Sequence, residues 1–248
     1  MTLSEGEMVK LRKCFGVLVL TALLLPASAS AGDGLYFGFN LGGAWTKGER
    51  NILLENLALD PDSKFASSNT DELVRTDGGT GFAGDFRLGY NILGVVAIEL
   101  LMGGSFENLS DPDAFATNFG IFGLARFFPA QLFPEVADRF WDPYIFVGGG
   151  GHAVIYKPDA HPADGKMVNK ARAWWPSAAV KYGFGCDFYP VPFLSLGLDF
   201  GFTNGFHEKY VIDFDDDIST KAVDDSQSRS FAFQVTASIL FHFDFTPN

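Results

Sequence analysis

Between residues 231 and 245 every odd position is apolar: Phe231, Phe233, Val235, Ala237, Ile239, Phe241, Phe243 and Phe245. The even positions include Gln234, Thr236, Ser238, His242 and Asp244. A strand sends successive side chains to opposite faces, so this segment predicts one apolar face and one largely polar face. It outlasts the roughly 5 to 6 residues of an ordinary soluble strand. It fits a tilted membrane strand of about 9 to 11 residues that continues into water.

The same period recurs upstream. Over 194–203, Leu194, Leu196, Leu198, Phe200 and Phe202 alternate with Ser195, Gly197, Asp199, Gly201 and Thr203. Over 174–188, Trp174, Ala178, Val180, Tyr182, Phe184 and Phe188 oppose Ser177, Ala179, Lys181, Gly183, Gly185 and Asp187. Tyr189, Pro190, Val191 and Pro192 predict a short turn between these two strands, because proline cannot join a central ladder. Phe82, Phe86, Leu88 and Tyr90 oppose Ala83, Asp85, Arg87 and Gly89. After a turn at 91–94, Val96, Ile98, Leu100 and Met102 oppose Ala97, Glu99 and Gly103. The first strand sets Leu35, Phe37, Phe39, Leu41 and Trp45 against Tyr36, Gly38, Asn40 and Gly42. The fourth sets Phe119, Ile121, Ala125 and Phe127 against Asn118, Gly120 and Arg126. A fifth strand, 144–156, contains four consecutive glycines from Gly148 to Gly151 that erase its alternation and leave its facing open. The total is eight.

The connections sort into two classes. Those after strands one, three, five and seven (about 47–78, 107–116, 157–172 and 205–229) are polar and mostly long, whereas those after strands two and six are short. Long loops outside and short turns inside are the asymmetry of outer-membrane barrels, and they put both termini in the periplasm. One connection, 129–142, is long for a periplasmic turn, and its stretch from Gln131 to Phe140 is a candidate interfacial helix. A soluble eight-stranded barrel would reverse the faces, polar outside and apolar inside. Here the polar set carries acids, bases and glycines that suit no hydrophobic ligand. Tyr36, Trp45, Tyr90, Trp141, Tyr144, Trp174, Trp175 and Tyr189 lie near strand ends, where interfacial aromatic girdles are expected.

Composition narrows this further. Of 248 residues 47% are hydrophobic, yet no apolar run reaches the roughly 18 residues of a membrane-spanning helix. The 28 glycines and 27 phenylalanines favour aromatic-rich strands with tight turns over a helical bundle. Residues 1–31 read as a cleaved signal peptide: Lys10, Arg12 and Lys13 precede an apolar core at 15–25, and small residues at 27–31 offer a cut after Ala31. Acidic Glu5 and Glu7 make Met8 a candidate start. The barrel would then occupy 32–248. The whole chain has a net charge of −12, and losing three bases with two acids makes it one unit more negative, which disfavours nucleic acid as a partner. Cleavage also removes Cys14 and leaves Cys186 alone, so no internal disulfide is expected.

Candidate chemistry lies on the polar face. Asp85, Arg87, Glu99, Arg126, Lys181, Asp187, Asp199 and Asp244 form the candidate lumen network. Isolated charges in a narrow interior are costly, so pairing is expected. Arg87 and Glu99 are equidistant from Leu93, and Lys181 and Asp199 from Pro190, which predicts two cross-strand pairs. A salt-bridged plug is favoured over a pore constriction, since eight strands leave room mainly for side chains. Asp213, Asp215, Asp216 and Asp217, near Asp224 and Asp225, lack the spacing of a calcium loop and read as a solvated acidic loop. No metal or cofactor is assigned.

The leading Leu35, Tyr36, Phe37 and Gly38, then Arg126, Phe127, Phe128 and Pro129, then Pro143 and Tyr144 before the glycine run, and the phenylalanine-rich last strand resemble the OmpA-like small outer-membrane β-barrel superfamily. The resemblance covers the whole of 32–248 at the level of pattern. It implies an all-β, eight-stranded antiparallel up-and-down transmembrane β-barrel with no peptidoglycan-binding domain after it. It also implies a monomer in contact with outer-membrane lipids and lipopolysaccharide, folded by the β-barrel assembly machinery. That machinery reads an aromatic-terminated last strand, here Phe241, Phe243 and Phe245, although Thr246, Pro247 and Asn248 follow the last phenylalanine. The expected role is structural or surface-interacting, through long extracellular loops. The alternatives are a small-solute pore and, as a rival class, a lipid-modifying enzyme. The His-x-Ser-Asn pattern of lipid A deacylases is absent, and no catalytic residue is assigned to His152, His161, His207 or His242.

Overall fold

The computed structural model describes residues 34–49, 51–53, 73–75, 79–110, 113–133, 141–158, 171–207, 209–214, 217–224 and 229–244. Its strands are β1 (Gly34–Glu49), β2 (Asn51–Leu53), β3 (Leu73–Arg75), β4 (Gly79–Ile92), β5 (Val96–Ser110), β6 (Asp113–Phe127), β7 (Trp141–Pro158), β8 (Ala171–Val191), β9 (Leu194–His207), β10 (Lys209–Phe214), β11 (Asp217–Asp224) and β12 (Arg229–Asp244). Eight of them close into a ring. β1, β4, β5, β6, β7, β8, β9 and β12 each pair antiparallel with the next, and β12 returns to β1. The expected eight-stranded antiparallel up-and-down barrel is therefore the observed fold.

The alternation explains the two faces. Phe231, Ile239, Phe241 and Phe243 are exposed, whereas Gln234, Thr236 and Ser238 are buried. Ile98, 61% exposed, sits next to Glu99, which is 2% exposed. A wall that is apolar outside and charged inside is the inverse of a soluble barrel, and such a surface is stable only against lipid. The glycine-rich β7 obeys the same rule: Tyr144, Phe146, His152 and Val154 point inward, and Ile145 and Val147 outward.

Several expectations change. The third connection is no long loop, because β5 and β6 run on to Ser110 and Asp113 and leave only residues 111–112 between them. The last connection contains the hairpin of β10 and β11, in which β10 pairs with the start of the 21-residue β8. The first carries the β2–β3 pair. One 3-10 turn occupies Pro129–Leu132, and most of the candidate helix from Gln131 to Phe140 is not among the described residues. Residues 134–140 lie outside the described residues, as do those of the proposed signal segment.

The hairpin registers also differ from the symmetric expectation. Gly89, not Arg87, faces Glu99. The chain reverses at Leu93 and Gly94, both at positive φ (53° and 69°), with Val95 N–H donating to Ile92 O at 3.2 Å. That is a type I′ turn followed by one extra residue. Likewise Thr203, not Asp199, faces Lys181. The prolines do not end β8: the ladder shifts between Phe188 and Val191, and the chain turns at Pro192 and Phe193.

The girdle splits as well. Trp45, Tyr90 and Trp174 are exposed and Trp141 is half-buried, but Tyr36, Tyr144, Trp175 and Tyr189 fill the interior. Their positions share the inward parity of their strands, and parity overrides nearness to a strand end.

Candidate functional site

The interior is layered. At the short-turn end, Tyr36 lies 5.5 Å and Tyr189 5.4 Å, ring centre to ring centre, from His242. Phe128 meets Tyr144 edge-on at 5.5 Å. Gln131 Nε2 donates to Asp142 Oδ2 at 2.8 Å and ties the 3-10 turn to β7.

Next comes a charge layer. Arg87 Nη2 is 3.0 Å from Asp199 Oδ2, and Arg87 Nη1 is 3.6 Å from Glu99 Oε1. Arg126 reaches three carboxylates: Glu99 at 3.3 Å, Asp187 at 3.3 Å and Asp199 at 3.5 Å. Its guanidinium also sits 3.8 Å from the centre of the Tyr144 ring, and the Tyr144 hydroxyl donates to Asp199. None of these charged side chains is more than 4% exposed. Around the charges packs a buried apolar cluster of Leu101, Phe122, Leu124, Phe146, Ala179 and Leu240, continuous with Tyr36, Ala97, Phe128 and Tyr144.

Five of the eight expected network residues thus meet. Arg87 and Glu99 are in contact, though diagonally rather than as opposed partners. Lys181 and Asp199 are not a pair: Asp199 belongs to the two arginines, and Lys181 Nζ donates to Gln234 Oε1 at 2.6 Å. The four-residue register difference separates them. Asp85 and Lys181 line a small cavity together with Phe122, Asn118 and His152. Asp244 ends β12, and its side chain is outside the described residues, as is Phe245. Phe241 and Phe243 are exposed on the outer wall, on the same face as Phe231 and Ile239.

The sequence reading missed the buried apolar cluster because its residues share strands with polar inward neighbours. A usable signal exists in the glycines. Tyr36 faces Gly89, Tyr144 faces Gly185, Phe146 faces Gly183, Phe122 faces Gly150, Leu124 faces Gly148 and Leu240 faces Gly38. A Cβ at Gly89, Gly185 or Gly183 would run into the facing ring, at 2.7 Å from Phe146 Cζ in the last case. Each large inward side chain lies over a neighbour without one, so the inward glycines at Gly148 and Gly150 are space for Leu124 and Phe122.

Toward the long-loop end, Glu107 accepts from Ser105 at 2.6 Å, from Asn118 at 2.8 Å and from the Thr46 hydroxyl. Three serine–histidine contacts also escaped the sequence reading: Ser177 with His152 (3.2 Å), Ser230 with His207 (2.9 Å) and Ser195 with His242 (2.9 Å). The Ser177 hydroxyl donates to the His152 carbonyl at 3.1 Å, so in this arrangement its proton is not handed to an imidazole base. Among the described residues no group of three or more His, Cys, Asp or Glu is placed to hold a metal.

No known family profile matches the chain, and no curated protein matches it. Solved structures do. Neisserial surface protein A is 11% identical with a TM-score of 0.50, the match covering 85% of this chain and 97% of that one. A major outer membrane protein from Thermus thermophilus is 13% identical with a TM-score of 0.53, covering 84% and 99%. With the closed ring, the apolar outer wall and the charged lumen, these likenesses identify the fold of this chain as that of the small outer-membrane β-barrels.

Proposed function

We propose that the protein resides in the outer membrane as a sealed β-barrel, with both termini periplasmic, and acts through its long-loop end rather than by conducting solutes. One observation carries this reading: the ion network of Arg87, Glu99, Arg126, Asp187 and Asp199 fills the lumen, and none of its side chains is more than 4% exposed. An ion crossing it would have to break paired, buried charges. The purified protein in a planar lipid bilayer should give no unitary current steps. Reproducible steps would favour the small-solute pore.

Its surroundings follow from the outer wall. Outer-membrane lipid and lipopolysaccharide cover the apolar face, and the chain acts as a monomer, because the ring leaves the eight barrel strands no free edge through which to pair with a second copy. The assembly machinery recognises the outward Phe241 and Phe243 together with Phe245. A structural or surface-interaction role is the reading taken over a lipid-modifying enzyme, because the inward acids and bases Arg87, Glu99, Arg126, Asp187 and Asp199 are committed to the ion network.

A further inference from the structure

Charge is distributed unevenly over the outside of the barrel. Among the residues whose side chains are described, every acid is buried, and only two charged residues are exposed: Lys47 near the end of β1 and Arg229 at the start of β12. Both are cations. They lie on the outward parity of neighbouring strands at the long-loop end, where Lys47 faces Phe231 and Arg229 faces Glu49. As diagonal neighbours they stand about 7 to 8 Å apart at the backbone, close enough for two long side chains to meet on one group. Neither has a hydrogen bond or ion pair among the described residues. Glu49, whose side chain is outside the described residues, balances at most one of the two charges.

Below them the wall is aromatic, then apolar. Trp45, Phe233, Phe202 and Tyr182 are opposed partners on β1, β12, β9 and β8. Their rings follow one another at 5.6, 5.1 and 5.6 Å, centre to centre. From Trp45 back to Leu35 every outward position of β1 is apolar or glycine. At about 3.3 Å per residue and a tilt near 40°, positions 35 to 45 stand roughly 25 Å tall, the height of the hydrocarbon band of such barrels. Lys47 is the first outward residue above that band, and Arg229 the next beyond Phe231. This is the depth of lipid headgroups, where a cation attracts anionic lipid. Lysine and arginine hold phosphate oxygens by charge-assisted hydrogen bonds.

We propose that Lys47 and Arg229 clamp the phosphate headgroup of an anionic outer-leaflet lipid, whose acyl chains lie on the row of rings from Trp45 to Tyr182. The site rests on the reading that lipid covers the outer wall with the long loops outside, and adds to it a fixed position and a headgroup chemistry. A phosphate capped by choline does not fit, because its ammonium would meet the two cations.

The test uses the full chain in phosphatidylcholine nanodiscs, with a gel shift on boiling as the check of folding. The amide signals of Lys47, Gly48 and Arg229 are followed by NMR as phosphatidic acid replaces part of the phosphatidylcholine. They should shift saturably, while that of Leu93 at the short-turn end stays in place. Lys47→Gln and Arg229→Gln, both at exposed positions, should each raise the phosphatidic acid needed for half the shift about fivefold. Inorganic phosphate, which gains nothing from the aromatic wall, should leave the signals unmoved. The proposal is overturned if phosphatidic acid shifts nothing, if inorganic phosphate acts equally, or if the folded double variant responds like the unsubstituted chain. Should a variant not fold, the comparison of the two phosphates on the unsubstituted chain decides alone. Contacts of phosphatidylcholine chain protons with Phe39 and Leu41 report separately on the lipid-covered wall: their absence would remove that reading, whereas unmoved signals with those contacts present remove the headgroup site alone.

Discussion

Arg126 touches three carboxylates and the face of one phenol ring, so more of the plug depends on it than on any other side chain of the network. Arg126→Met would leave Glu99, Asp187 and Asp199 to share Arg87, and a loss of about 3 to 5 kcal/mol is expected in urea unfolding from lipid vesicles. Double-mutant cycles sharpen this. Arg87→Met with Asp199→Leu should show clear coupling, whereas Lys181→Met with Asp199→Leu should be additive, because the second pair does not touch. That contrast marks where the sequence stopped being legible. Alternation was enough to send all these charges inward, but choosing partners required the register, and each turn added residues that symmetry about a loop does not count. On the outer wall, Leu198→Arg places a charge in lipid and should cost about 2 to 4 kcal/mol in the same assay.

The hairpins show why strand existence was readable and strand pairing was not. The β4–β5 turn puts Leu93 at φ 53°, a conformation that costs a side-chain-bearing residue roughly 1 to 2 kcal/mol. Such a residue does not announce a type I′ turn, for which Asn-Gly is the usual signal. Leu93→Gly should therefore stabilise the barrel by up to about 1 kcal/mol in the same unfolding assay, with heat-modified gel mobility unchanged. In β7 the glycines that hid the alternation are the clearest packing signal once the register is known. Gly185→Ala, opposite Tyr144, should cost about 1 to 3 kcal/mol by overpacking. Loop lengths were the least legible feature. Polar residues at strand ends look the same whether a strand stops at the membrane or runs on into water, as β5, β6 and β8 do.

The eight strands hold one another in a ring, so the native barrel should resist detergent until boiled, and unheated and boiled samples should migrate differently on a denaturing gel. Identical mobility would count against closure. The ring also has a seam: β1, which begins at Gly34, lies against β12, which ends at Asp244, along sixteen paired positions. The two partners that close it are the farthest apart in the chain, so closure must wait for nearly the whole polypeptide. Losing either of these strands would not yield a slightly narrower barrel. It would leave two unpaired rows of backbone amides and carbonyls facing hydrocarbon, each unsatisfied group costing several kcal/mol, so the chain completes its circle or cannot remain in the bilayer.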